Sequence, residues 1–170
     1  MKRVCLLTGA PGTGKTTIIR QAVVSVPNAG GFYSEEIRVG GTRQGFRIIT
    51  LDGRTAVLAG VNIQSTFRVG KYGVDLASLD EVAVPALRQA VHECSIVVVD
   101  EIGKMEMMSL AFRGMLLEVL DSGKRLLGTI MLRPHPFADR IKSDPRVQVI
   151  LLSKSNRPQV LGKVTEWLQT

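Results

Sequence analysis

The chain alternates short apolar runs with stretches in which apolar residues recur every three or four positions. The runs predict strands at residues 3–8, 95–100, 124–131 and 147–152. The recurring spacing predicts helices at residues 15–26, 79–93, 105–120 and 157–169, and a rigid loop at 133–136 opens a further short helix. This alternation is typical of an α/β fold with a doubly wound, mostly parallel sheet.

The middle of the chain departs from this alternation. Residues 31–39, 46–51 and 55–58 have strand-like patterns with no helix between them, and Asp52-Gly53 separates the last two with a hairpin turn signal. We therefore expect one antiparallel hairpin inserted into the sheet. Residues 61–74 are rich in glycine and polar residues, which predicts a loop. Because no internal repeat, linker or low-complexity segment is present, residues 1–170 are expected to form a single domain.

Composition narrows the class of protein. The 170 residues are 45% hydrophobic, which is typical of a globular chain, and a net charge of +7 favours polyanionic partners such as nucleotides. The charges are scattered and aromatic residues make up only 5%, so a dedicated nucleic-acid surface is not expected. Cys5 and Cys94 lack metal-ligand spacing and are expected to be core residues of a cytoplasmic protein. No apolar run predicts a membrane span or a signal peptide.

The segment between the first strand and the first helix matches the phosphate-binding pattern G-x-x-x-x-G-K-[ST] in full. It consists of Gly9, Ala10, Pro11, Gly12, Thr13, Gly14, Lys15 and Thr16, and Thr17 follows. Glycines let the backbone amides turn inward and form an anion nest, and the helix N-terminus adds partial positive charge. Lys15 is expected to reach the β- and γ-phosphates, and the Thr16 hydroxyl to bind Mg²⁺.

A second acidic motif follows the buried strand 95–100. Asp100 is expected at the carboxyl edge of the sheet, where it would hold Mg²⁺ directly or through water. Glu101 would orient the attacking water, unless it is a solvated residue at the strand end. The N–H of Gly103 could contact the γ-phosphate. Lys104 is a candidate for neutralising transition-state charge, with a solvent-facing lysine as the alternative.

These residues resemble a known family. Val99, Asp100, Glu101, Ile102, Gly103, Lys104, Met105 and Glu106 look like the signature of the thermophile-type nucleoside-triphosphatase family, and residues 31–36, 45–48 and 72–74 support the resemblance. The resemblance implies a P-loop NTPase with a RecA-like sheet that slowly cleaves ATP, GTP and other triphosphates to diphosphate and phosphate. It also implies that the nucleotide contacts the phosphate loop and these eight signature residues.

Three further segments carry candidate residues. Glu35 and Glu36 could serve a second metal shell or position water, or could simply form a solvated edge. The segment 133–142 could be a lid over the phosphates, with Arg133 as its acting residue, or a plain surface connection.

Residues 153–157 follow the last strand and resemble the guanine-reading [NT]-K-x-D motif. Asn156 replaces the aspartate that would grip guanine, which predicts weak base discrimination by Asn156 and Arg157. His92 is expected to be an ordinary helix-end histidine.

Three functions remain open at this point. The first is a Mg²⁺-dependent nucleoside triphosphatase of broad base specificity. The second is a nucleotide or small-molecule kinase, although no acceptor site is visible and a water-activating Glu101 would oppose kinase action. The third is a nucleotide switch or nucleic-acid-associated module. The sequence indicates no oligomeric state.

Overall fold

The computed structural model describes all 170 residues. The strands are β1 Val4–Thr8, β2 Ala29–Val39, β3 Thr42–Thr50, β4 Thr55–Gly60, β5 Arg68–Val69, β6 Tyr72–Val74, β7 Ile96–Ile102, β8 Arg125–Ile130 and β9 Val147–Leu151. The α-helices are α1 Lys15–Val23, α2 Leu76–Ser78, α3 Val84–Glu93, α4 Leu110–Asp121, α5 Pro136–Lys142 and α6 Arg157–Gln169. A π-helical turn, Leu79–Ala83, joins α2 to α3, and a 3₁₀ turn, Glu106–Met108, precedes α4.

All nine strands form one sheet in the order β5-β6-β4-β3-β2-β7-β8-β1-β9. Strands β2, β7, β8, β1 and β9 pair in parallel. Strands β3, β4, β5 and β6 continue the sheet from β2 by antiparallel pairing. The prediction of an α/β fold is confirmed, but the sheet is evenly mixed and not mostly parallel. The narrower RecA-like grouping stays a prediction.

The prediction of a loop at residues 61–74 is confirmed for residues 61–67 and wrong for the rest. Strands β5 and β6 lie within residues 68–74, and Val74 of β6 pairs with Ala59 of β4. Tyr72 is buried there, with its ring 5.2 Å from that of Phe46 in an edge-to-face arrangement. Strands this short leave no periodic pattern in the sequence, because neighbouring strands rather than their own residues stabilise them.

Helix boundaries differ from the predictions at two places. Helix α1 ends at Val23, three residues before the predicted end at 26. The helix predicted at 105–120 begins as the 3₁₀ turn, and α4 itself starts after Ser109, whose hydroxyl accepts a hydrogen bond from the N–H of Phe112 at 3.0 Å. Such a serine cap fixes a helix start, because it satisfies an N–H that has no partner inside the helix.

Two hydrophobic cores lie on opposite faces of the sheet. On one face, α1 and α6 pack against residues such as Leu7, Val98 and Leu127. On the other face, α3 and α4 pack against residues such as Val97 and Val99. Strands β1, β7 and β8 are therefore covered on both faces, which explains their uninterrupted apolar runs. No helix of the protein is both long enough and apolar enough to cross a bilayer.

Candidate active site

The phosphate loop connects β1 to α1 and has the backbone that its glycines allow. Gly12 and Gly14 have φ values of 78° and 95°, which a residue with a side chain rarely adopts. The Thr13 hydroxyl donates to the carbonyl of Ala10 at 2.9 Å and braces the loop from inside. Because α1 has no side-chain cap, the amides of its first turn keep their hydrogen-bonding capacity for a ligand.

The side chain of Lys15 folds back over this loop. Its Nζ donates to the carbonyl oxygens of Gly9 at 2.9 Å and Ala10 at 3.1 Å. The ammonium group is thus held on the loop that has the phosphate-binding pattern. Both contacts are ordinary hydrogen bonds, so an anion in the loop would compete for the same ammonium with a stronger, charge-assisted bond.

Asp100 lies at the carboxyl end of β7 and is only 2% exposed. Its Oδ1 accepts a hydrogen bond from the Thr129 hydroxyl at 2.6 Å, and the Thr16 side chain lies nearby. Its Oδ2 is buried and has no protein partner. Burial raises the pKa of Asp100, while the hydroxyl groups of Thr129 and Thr16 and the charge of Lys15 oppose the rise.

A buried carboxylate oxygen without a partner is costly, and a bound cation removes that cost. Thr16 and Asp100 supply a hydroxyl and a carboxylate oxygen, which are the ligand types that Mg²⁺ accepts together with phosphate oxygens and water. The donor set therefore fits the expected Mg²⁺. The sequence did not indicate Thr129, and its only signal was a polar residue near the end of an apolar strand.

Two carboxyl groups converge on Gly103. A methyl group placed on Gly103 would lie 2.6 Å from Oε1 of Glu101 and 2.9 Å from Oε2 of Glu106. Burial, and next the charge of Glu101, hold the pKa of Glu106 well above its ordinary value, while main-chain hydrogen bonds from Glu106 itself and Gly103 act in the opposite direction. Burial and the charge of Asp100 also raise the pKa of Glu101, and Lys15 lowers it.

The two carboxyl groups differ in burial. Glu106, the last residue of the signature, is 4% exposed, whereas Glu101 is half-buried and the charge of Lys15 lowers its pKa. Like charges at this spacing disfavour simultaneous ionisation, and burial favours the neutral form more strongly at Glu106 than at Glu101. The arrangement places the two carboxyl groups side by side next to Asp100.

The rest of the signature is distributed between core and solvent. Val99 and Ile102 are fully buried, so their predicted nucleotide contacts can involve only the main chain, whereas Met105 is partly buried against the same core. Lys104 is exposed and has no hydrogen bond or ion pair. Its catalytic role stays a prediction.

The loop after β9 uses Asn156 for its own structure. The side-chain oxygen of Asn156 accepts from the N–H of Ser153 at 2.8 Å, and its Nδ2 donates to the carbonyl of Leu151 at 3.0 Å. Both ends of the amide are thus engaged with their own loop, and the nucleotide contact of Asn156 stays a prediction. Arg157 instead lies against the phosphate loop: a methyl on Gly14 would come within 2.8 Å of its Nη2.

Glu35 and Glu36 form ion pairs with arginines at the strand surface. Glu36 pairs with Arg38 at 2.7 Å and Arg43 at 3.1 Å, and the hydrogen bond from Arg38 lowers its pKa. Glu35 pairs with Arg20 at 3.7 Å and with Arg47 at 3.5 Å. These pairs favour the alternative of a solvated edge, and a role in a second metal shell or in positioning water stays a prediction.

The segment 133–142 folds as a loop and α5. Arg133 is exposed, while Ala138 and Ile141 anchor the helix in the core. His135 caps α5, because its Nδ1 accepts from the N–H of Phe137 at 3.2 Å. The proposed lid function of this segment, with Arg140 and Lys142 on its helix, stays a prediction.

The remaining single residues have ordinary environments. His92 is exposed in the last turn of α3. Cys5 and Cys94 are free, with Cys5 buried and Cys94 half-buried. Burial raises the pKa of Cys5 to about 11, so its thiol is unreactive at neutral pH.

Relatives of known structure and name match nearly the whole chain. The sequence model of a family described as NTPase matches residues 4–165. The nucleoside-triphosphatase THEP1 of Thermotoga petrophila is 45% identical over 159 residues, covering 94% of this chain and 89% of the relative. The human cancer-related nucleoside-triphosphatase is 37% identical over 189 residues, covering 100% and 98%. The crystal structure of THEP1 from Aquifex aeolicus superimposes with a TM-score of 0.91 at 34% identity, covering 98% of this chain and 99% of that chain.

Proposed function

Because the chain belongs to the nucleoside-triphosphatase family and is a nucleoside-triphosphate hydrolase, we propose that it cleaves ATP, GTP and other triphosphates to diphosphate and phosphate, with Mg²⁺ and little selection of the base. One observation carries the proposal. Lys15, Asp100 and Glu101 lie near one another at the carboxyl edge of the sheet: the charge of Lys15 lowers the pKa of both acids, and the charge of Asp100 raises the pKa of Glu101. One oxygen of Asp100 is buried there without a hydrogen-bond partner.

Residues of the chain would hold the metal and the phosphates. Thr16 and Asp100 would bind Mg²⁺, whose charge would stabilise the oxygens of the β- and γ-phosphates. Thr129 keeps Asp100 oriented through the 2.6 Å hydrogen bond. Lys15 would exchange its two carbonyl acceptors for phosphate oxygens, which bind an ammonium more strongly.

Glu101 would orient the attacking water and take its proton. The water oxygen bonds to the γ-phosphorus as the bond from that phosphorus to the bridging oxygen breaks, and the nucleoside diphosphate leaves with the bridging oxygen. The raised pKa of Glu101 makes its carboxylate a better proton acceptor than an exposed glutamate. Glu106, whose carboxyl group also approaches Gly103, would limit the positions open to the Glu101 side chain.

A kinase would grip the triphosphate in the same way but would have to keep water from the γ-phosphorus. A carboxylate at position 101 opposes that requirement, which is why hydrolysis is the better proposal. All nine strands share one sheet, which supports treating residues 1–170 as one domain.

The test measures phosphate released from Mg-ATP with no acceptor present. We expect turnover by the parent protein and a decrease of about 100-fold or more in Glu101→Gln, with unchanged affinity for a non-hydrolysable ATP analogue. Glu36→Gln is the matched control, because Glu36 is an ion-paired surface glutamate, and it should retain full turnover. Turnover by Glu101→Gln at the parent rate would remove Glu101 from the reaction, and tight ATP binding without phosphate release by the parent would favour the kinase.

A further inference from the structure

Arg157 is brought to the phosphate loop by the pairing of two strands that are far apart in sequence. Strand β9 lies parallel to β1, with Leu7 opposite Ile150 and Thr8 opposite Leu151. The loops that follow the two strands therefore leave the sheet side by side. Arg157 opens α6 directly after the second of these loops.

The guanidinium group of Arg157 presents a face to Gly14. A methyl placed on Gly14 would lie 2.8 Å from Nη2, 2.9 Å from Cζ and 3.0 Å from Nε. Three nearly equal distances place that point over the plane of the group, since a point beyond its edge would lie clearly farther from Cζ. The side chain is exposed, so the opposite face of the guanidinium is open to a ligand.

No protein group competes for Arg157. Its guanidinium takes part in no hydrogen bond or ion pair, in contrast to Arg146, which is held by Asp144 and Asp121. An arginine without a partner beside an anion-binding loop retains both its charge and its planar surface for a ligand.

The polar side chains of Ser153, Ser155 and Asn156 in the surrounding loop hydrogen-bond within that loop. The Asn156 amide is occupied by its own loop, and the hydroxyls of Ser153 and Ser155 hydrogen-bond each other at 3.0 Å. A hydroxyl can also rotate to donate or accept, so it imposes no fixed pattern. Residues 9–17 and 151–159 contain no aromatic ring, which leaves the guanidinium as the extended planar cation available for stacking.

We propose that the nucleobase of the substrate stacks on the open face of the Arg157 guanidinium, so that the site holds any base by its π-face and not by its hydrogen-bonding edge. Stacking of bases on guanidinium planes is a known mode of recognition, and every base has such a face. This inference rests on the proposed function only in requiring a nucleoside triphosphate in the phosphate loop. It gives a physical cause for broad base specificity.

The competing possibility is that Arg157 contacts a phosphate by charge alone. Inorganic tripolyphosphate separates the two, because it has the charge of the substrate tail and no base. The experiment compares dissociation constants of Mg-ATP, Mg-GTP, Mg-CTP and Mg-tripolyphosphate for the parent, Arg157→Ala and Arg157→Lys. Arg88→Ala is the matched control, since Arg88 is also an exposed, unpaired arginine and its loss changes the net charge equally.

Stacking predicts that Arg157→Ala weakens binding of all three nucleotides by about 10-fold or more and leaves tripolyphosphate affinity unchanged. Arg157→Lys should recover only a small part of the loss, because it restores the charge without the plane. Equal weakening of tripolyphosphate, full recovery by lysine, or no change in nucleotide affinity would each overturn the proposal. Because binding is measured directly, the test is valid even if the parent releases no phosphate, an outcome that would contradict the proposed hydrolysis instead.

Discussion

Gly103 offers a direct way to move the two carboxyl groups without removing either. An alanine Cβ at this position would lie 2.6 Å from Oε1 of Glu101 and 2.9 Å from Oε2 of Glu106. Ordinary van der Waals contact begins at 3.4 Å, so the carboxyl groups must retreat by about 0.5–0.8 Å. The φ of Gly103 is not in the left-handed region, and alanine can adopt the same backbone.

A displacement approaching 1 Å of a group that positions a reactant can lower the rate by about 100-fold. We therefore expect Gly103→Ala to lower kcat on the order of 100-fold with little change in KM, because the phosphate loop is untouched. The atoms that must move are Cγ and Oε1 of Glu101 and Oε2 of Glu106, all in flexible side chains, so the free energy of unfolding should change by less than about 1 kcal/mol. Phosphate release gives kcat and KM, and calorimetry gives the midpoint of thermal unfolding, Tm.

Gly162→Ala is the control for adding a methyl group. Gly162 lies inside α6 with nothing within 4 Å of the added Cβ. Alanine there should stabilise the helix by up to about 1 kcal/mol and leave turnover unchanged. If Gly103→Ala folds normally and turns over at the parent rate, the convergence of Glu101 and Glu106 is not needed for hydrolysis, and the mechanism proposed for Glu101 fails with it.

Three further predictions follow from charges in the structure. Because the pKa of Glu106 is raised in the folded state, its contribution to stability is complete below about pH 4.5 and is lost as pH rises through the folded-state pKa. The Tm of Glu106→Gln should therefore rise relative to the Tm of the parent between pH 4 and pH 8. A Tm difference that stays constant over this range would contradict the prediction. Arg146 lowers the pKa of Asp144 to about 2. The stability that the Asp144 carboxylate contributes is therefore present above its ordinary pKa of 3.8 and is lost as pH falls through about 2. Asp144→Asn should have a lower free energy of unfolding than the parent at pH 7 in urea. A difference between the two that is equally large at pH 2 would contradict this prediction. Lys15→Ala should weaken Mg-ATP binding and lower turnover, and an unchanged dissociation constant in calorimetric titration would remove Lys15 from the phosphate site.

Local patterns predicted the parts of the protein that contiguous residues build. The phosphate loop needs only Gly9 to Thr16 in order, because the glycines and the start of α1 create the anion nest among themselves. The long apolar strands β1 and β7 were predicted from their runs, because both faces of each are covered by helices. Asp100 was found for the same reason, as the first acidic residue at the end of a buried strand.

Only the tertiary structure decided which distant residues meet. Thr129 hydrogen-bonds Asp100 because β8 lies beside β7, and Arg157 covers Gly14 because β9 lies beside β1. Strand neighbours are selected by the packing of the whole chain, and no periodicity within a strand specifies them. For Asn156, the sequence predicted weak base discrimination from the missing aspartate, and only the fold showed that its amide hydrogen-bonds its own loop. The sequence by itself thus determined the chemistry that eight consecutive residues and one buried strand can provide, and long-range packing determined which side chains support that chemistry.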